Sequence, residues 1–156
     1  MQAKAWQYLA VETASSWLCN GMLNFASAFA IFHGRTRIPA TGLRGLVGDT
    51  IGETFIVTAL SVLIPSLIAR KRRRTGTLPV SGDGHTAPAG NLYVRAMVTA
   101  LIFTCVCVPF NAFLLPRIFP DGVSFRNVLL FKTLYGAVIG SIATALAVRK
   151  ALHEVD

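Results

Sequence analysis

Four apolar stretches, each about as long as a bilayer is deep, are cut apart by short segments rich in Gly, Pro and Arg. They cover residues 6–32, 46–69, 95–115 and 128–148. A helix rises ~1.5 Å per residue and the hydrocarbon core is ~30 Å thick, so about 20 residues suffice to cross it. In lipid every backbone N–H and C=O must be bonded within its own segment, which makes helices of such stretches. The expected fold class is an all-α membrane protein, with four transmembrane helices arranged as two helical hairpins.

Composition supports that reading. The chain is 53% hydrophobic and 14% charged, against roughly 25% charged residues in a soluble domain. Its net charge of +8 would raise nucleic-acid binding in a soluble protein, but here the basic residues gather at the ends of apolar runs. That placement points to topology and anionic headgroups, so the expected partner is the bilayer and not nucleic acid. Cys19, Cys105 and Cys107 all lie inside apolar runs, where a small polarizable side chain packs. Cys105 and Cys107 form a C-x-C without zinc-site spacing, so neither a disulfide framework nor a metal is expected.

The first stretch competes with a cleaved signal peptide, since Lys4 precedes it. It is too long and too polar for one, and "SAFAIFHG" makes an indifferent cleavage site. Trp6 and Tyr8 fit an aromatic belt at its start. Residues 33–45 carry Gly34, Pro39 and Gly42 and read as a loop, as do residues 116–127 with "PDG". The organisation expected is a first hairpin over 1–74, a flexible Gly/Pro-rich cytoplasmic linker over 75–94, and a second hairpin over 95–156.

With an even number of crossings, one side holds Lys4, Arg70, Lys71, Arg72, Arg73, Arg74, Arg95, Arg149 and Lys150. The other holds Arg35, Arg37, Arg44, Arg117 and Arg126. Nine basic residues against five place both termini and the linker in the cytoplasm of a bacterial-type inner membrane. The run from Arg70 to Arg74 is expected to rest on lipid headgroups.

The two halves share a pattern. Each has an Asn near the outer end of its first span (Asn24, Asn111), a loop closing on Arg (Arg44, Arg126), and a charge–Thr pair opening the next span. That pair is Asp49–Thr50 in one half and Lys132–Thr133 in the other, with Gly52 and Gly136 following. An internal duplication leaves such a pattern, and two-helix hairpins also converge on it. A duplication here would give parallel repeats, related by an axis along the membrane normal.

A carboxylate at the bilayer centre costs ~2.5–3.5 kcal/mol on insertion scales, so every ionizable residue there needs a partner, water or a function. Asp49 and Glu53 are four apart and share one helix face, while Lys132 sits at matching depth on the fourth span. Either Lys132 neutralises them as a structural ion pair, or Glu53 is a surplus acid that handles a proton or cation. Glu12 is a further candidate acid near the cytoplasmic end. Asn20, Asn24 and Asn111 need hydrogen-bond partners between helices, and Gly136, Gly140, Ala143 and Ala147 form a smooth face for helix packing. No phosphate-binding loop, H-E-x-x-H helix or G-x-S-x-G elbow occurs, so no enzyme and no cofactor is expected.

The size, the span count and the acid in the first helix resemble the small multidrug resistance exporters, the likeness resting on "YLAVET", residues 8–13. That resemblance implies a membrane-embedded glutamate, here Glu12, which exchanges protons for cationic drugs. The 26 residues from 70 to 95 depart from those compact proteins, and the Asp49, Glu53 and Lys132 cluster has no counterpart there. Residues 11–24 are also similar to small bacterial four-span exporters of amino acids. The function expected is a small transporter or permease-like protein moving a small solute or cation, with proton coupling. It would work as a homo-oligomer. The competing expectation is an accessory subunit docked on another membrane subunit.

Overall fold

The computed structural model describes residues 2–77, 87–88 and 91–155. Four helices alternate with two-residue strands: α1 (Gln2–Phe32), β1 (Arg37–Ile38), α2 (Leu46–Arg74), β2 (Ala87–Pro88), α3 (Leu92–Ile118), β3 (Val123–Ser124), α4 (Phe125–His153) and β4 (Glu154–Val155). The helices outrun the expected spans at their ends, and the basic run from Arg70 to Arg74 continues α2 as its last turns. There the cations face the negative end of the helix dipole. α2 also passes through Pro65 unbroken. Of the linker expected over 75–94, residues 78–86 and 89–90 lie outside the described residues, and α3 already begins at Leu92.

Three helices, α2, α3 and α4, are long and apolar enough to cross a membrane. Of the four spans expected, that of α1 is not among them: the helix has the length but not the apolarity. Glu12, Ser15, Ser16, Asn20 and Asn24 dilute its hydrophobic run. What α1 lacks in hydropathy it supplies in fit. Near the chain termini, Tyr8 packs with Ala69, Val148, Ala151 and Leu152; toward the loops, Ala28 and Phe32 pack with Leu46, Leu115 and Val128. α1 thus runs beside α4 over most of its length.

In space the helices follow the order α1, α4, α2, α3. α1 lies against α4, α4 against α2 and α2 against α3, whereas α1 and α2 touch only marginally. The closely packed pairs are therefore not the ones expected of two self-contained hairpins. At one end of the bundle, called here the loop end, β1 pairs antiparallel with β3, setting Arg37 opposite Ser124 and Ile38 opposite Val123. Ile38 and Val123 are fully buried under the loops. Gly122 permits this approach: its φ of 87° is a left-handed conformation, and a Cβ there would stand 2.9 Å from the Ile38 carbonyl oxygen. At the opposite, terminal end, β2 pairs in parallel with β4.

Candidate functional site: a buried charge cluster between α2 and α4

The N-terminus of α2 follows Gly45, which offers no side-chain cap, so the positive end of its dipole falls on Asp49 in the first turn. Across the α2–α4 seam, Lys132 lies two turns into α4 and extends its ammonium to Asp49 Oδ2, to which it hydrogen-bonds. Glu53, one turn below Asp49, places Oε2 3.3 Å from Lys132 Nζ. The Lys132 and Glu53 side chains are only 1% and 5% exposed. The Phe32 ring closes the α1 side, with its centroid 5.7 Å from the ammonium.

Two carboxylates thus share one ammonium. Asp49 takes the hydrogen bond, and the Glu53 oxygens have none among the described residues. With both acids ionised the cluster carries one surplus negative charge in a place where water cannot screen it. A proton or another monocation is what such a group takes up. All three residues singled out in the sequence therefore meet. The fourth, Glu12, does not: it lies toward the terminal end, 3.9 Å from Arg72, whose guanidinium stands over the Tyr8 ring.

Below the cluster runs a polar seam that the sequence reading missed. Thr50, Thr54 and Thr58 repeat every four residues on α2 and are fully buried, with Ser61 and Ser66 continuing the face. Thr54 Oγ1 donates to the Thr50 carbonyl at 2.6 Å and lies 2.6 Å from Tyr135 Oη. Since the Thr54 proton is committed to its own helix, Tyr135 is the donor between them. The Tyr135 hydroxyl also meets Cys107 and Asn111 from α3. Asn111, fully packed, leaves Nδ2 without a hydrogen bond among the described residues. A four-residue spacing of threonines in an apolar helix was the available signal for this face.

The asparagines of α1 are satisfied. Asn24 Nδ2 donates to the Asn20 carbonyl at 2.8 Å, and Asn20 Nδ2 lies 2.9 Å from the Ser16 carbonyl and 3.2 Å from Ser61 Oγ. Thr144 of α4 closes this node, donating to Ser16 Oγ at 2.7 Å. The small residues of α4 explain the fit: a Cβ on Gly136 or Gly140 would stand 2.8 or 2.9 Å from the Cβ of Asn24 or Asn20. Ala143 and Ala147 pack instead with Val62 and Ala96. The smooth face is consumed inside the bundle.

Of the basic run, Lys71, Arg72 and Arg74 are exposed while Arg70 and Arg73 are half-buried. Arg73 Nη1 donates to the Ala151 carbonyl at 3.0 Å, tying α2 to the last turn of α4. No group of His, Cys, Asp and Glu among the described residues could hold a metal ion. Against protein-family models, curated proteins and solved structures, the chain finds no match. The reading of the site therefore rests on its chemistry. At the loop end, a cavity of about 360 Å³ opens between the two loops, lined by Arg37, Pro39, Phe119 and Asp121 among others.

Proposed function

We propose that this protein is a small transporter of the bacterial inner membrane, moving a small solute or cation, in which Glu53 takes up and releases the coupling proton. The observation that carries the reading is the unequal cluster: a half-buried Asp49, a buried Glu53 and one ammonium, with the Glu53 oxygens lacking a hydrogen bond among the described residues. Asp49 holds the Lys132 ammonium in place, 3.3 Å from the Glu53 carboxylate. No enzymatic step is part of this reading.

Its topology extends the three spanning helices. α1 runs beside α4 from Tyr8 to Phe32, which supports a fourth crossing held by packing instead of hydropathy. Four crossings leave both termini and the basic run in the cytoplasm, with Arg70 to Arg74 against anionic lipid. Four helices in a row do not surround a solute, so the working unit is a homo-oligomer. The accessory-subunit reading loses its docking face, because Gly136 and Gly140 are occupied by Asn24 and Asn20.

The test is solute-triggered proton movement in proteoliposomes containing a pH-sensitive dye, screened over amino acids, organic cations and alkali ions. The wild type responds to at least one of these, and Glu53→Gln abolishes the response while remaining folded by size-exclusion chromatography. If Glu53→Gln retains the full response, the proton does not travel on Glu53.

A further inference from the structure

The helix order has a symmetry of its own. Exchanging α1 with α3 and α2 with α4 turns the α1–α4 contact into α3–α2, and leaves the α2–α4 seam and the antiparallel β1–β3 pair unchanged. A twofold axis through the seam would generate this arrangement. Residues follow suit: Asn24, Ala28 and Phe32, four apart on α1, recur as Asn111, Leu115 and Phe119 at the same spacing at the end of α3. All but Phe119, which is half-buried, are buried, and the four apolar ones share one cluster at the loop end. The charge–Thr pairs Asp49–Thr50, in the first turn of α2, and Lys132–Thr133, two turns into α4, come to the same depth, and the two charged side chains meet across the seam.

The first helix of each half packs chiefly on the other half. Asn20 and Asn24 of α1 are covered by Gly140 and Gly136 of α4, and α3 packs chiefly on α2. We infer that the chain is a fused pair of half-bundles whose α2–α4 seam is a charge-selective interface, its partner being a half-bundle of opposite charge, from the same chain or a second copy.

The sign of the charges carries the selectivity. Two first halves paired about this axis would set Asp49 against Asp49 with both Glu53 carboxylates beside them, and two second halves would bury Lys132 against Lys132. Like charges in a buried seam exclude both pairings, and only the unlike pair sets an ammonium against carboxylates. Exchange between copies is within reach: residues 75–91 number 17, and 17 residues extend to about 55 Å. Such an exchange is a domain swap.

The experiment uses full-length chains with different affinity tags. Asp49→Lys alone and Lys132→Asp alone each put like charges at the seam, and each is expected to give a severalfold lower yield of folded protein. Expressed together, they recover severalfold and co-purify, because the first half of one chain fits the second half of the other. Asp49→Lys/Lys132→Asp in one chain restores yield without a partner. Failure of that double variant overturns the equivalence of the two positions. Recovery without co-purification, or no recovery while the double variant folds, overturns selection by the seam. None of these outcomes depends on transport activity.

Discussion

Removing the single cation from the charge cluster is the sharpest test of its energetics. Lys132→Met replaces the ammonium by an apolar side chain of similar length and leaves Asp49 and Glu53 four residues apart on one face of α2. The Asp49 side chain is 18% exposed and that of Glu53 only 5%, so Glu53 bears most of the penalty. Breaking a buried pair by deleting one partner costs about 3–5 kcal/mol, and the lower figure corresponds to a shift of roughly 150-fold in the unfolding equilibrium. Adding Glu53→Gln removes the stranded charge, so the double variant should be more stable than Lys132→Met alone by at least about 1 kcal/mol. The assay is SDS-induced unfolding of the purified protein, followed by circular dichroism and by Trp6 and Trp17 fluorescence. If Lys132→Met unfolds within about 0.5 kcal/mol of the wild type, the range of a surface change, the cluster is not buried against water as described.

Three further outcomes follow from the packing. Gly136→Ala drives a methyl into the Asn24 side chain and should destabilise by about 1–3 kcal/mol; in the same unfolding assay, Asn24→Ala in that background should recover part of the loss. Arg37→Cys with Ser124→Cys places two thiols at paired positions of β1 and β3, where cross-strand Cβ atoms are about 4.5–5.5 Å apart. Mild oxidation should form an intramolecular disulfide, seen as a reducible mobility shift on a denaturing gel, and its absence would refute the β1–β3 pairing. Replacing Arg70, Lys71, Arg72, Arg73 and Arg74 by Gln removes the strongest orientation signal, so reporter fusions at the C-terminus should show a mixed topology where the wild type shows one.

The apolar runs of α2, α3 and α4 were legible because hydropathy is a local property of the chain. So was the cluster: an Asp and a Glu four apart, with a Lys at matching depth in another span, leave few ways to neutralise charge in lipid. Which helices pack together was not legible. The Gly136–Gly140 face announces that a helix approaches without saying which, and only Asn20 and Asn24 meeting it show that the occupant is α1 and not α2. Tyr135 was overlooked for a similar reason. An aromatic residue in an apolar span reads as lipid-facing until Thr54, Cys107 and Asn111 are brought around its hydroxyl.

The polarity that keeps α1 below the threshold of a spanning helix is the same polarity that fits it to α4. Ser16, Asn20 and Asn24 repeat every four residues, and their hydrogen bonds are completed by one another and by Ser61 and Thr144, with Gly136 and Gly140 giving them room. On the proposed topology, α1 in lipid without α4 would expose two asparagines, each needing a partner worth about 0.6–2 kcal/mol. Its stable insertion therefore waits for the last helix of the chain to be made, and a chain truncated before α4 should leave α1 accessible to water-soluble thiol reagents at Cys19. In the full-length protein Cys19 is exposed on the outer face of the bundle, where lipid should shield it from the same reagents. Equal labelling of Cys19 in the truncated and full-length chains would show that α1 reaches its final place without α4.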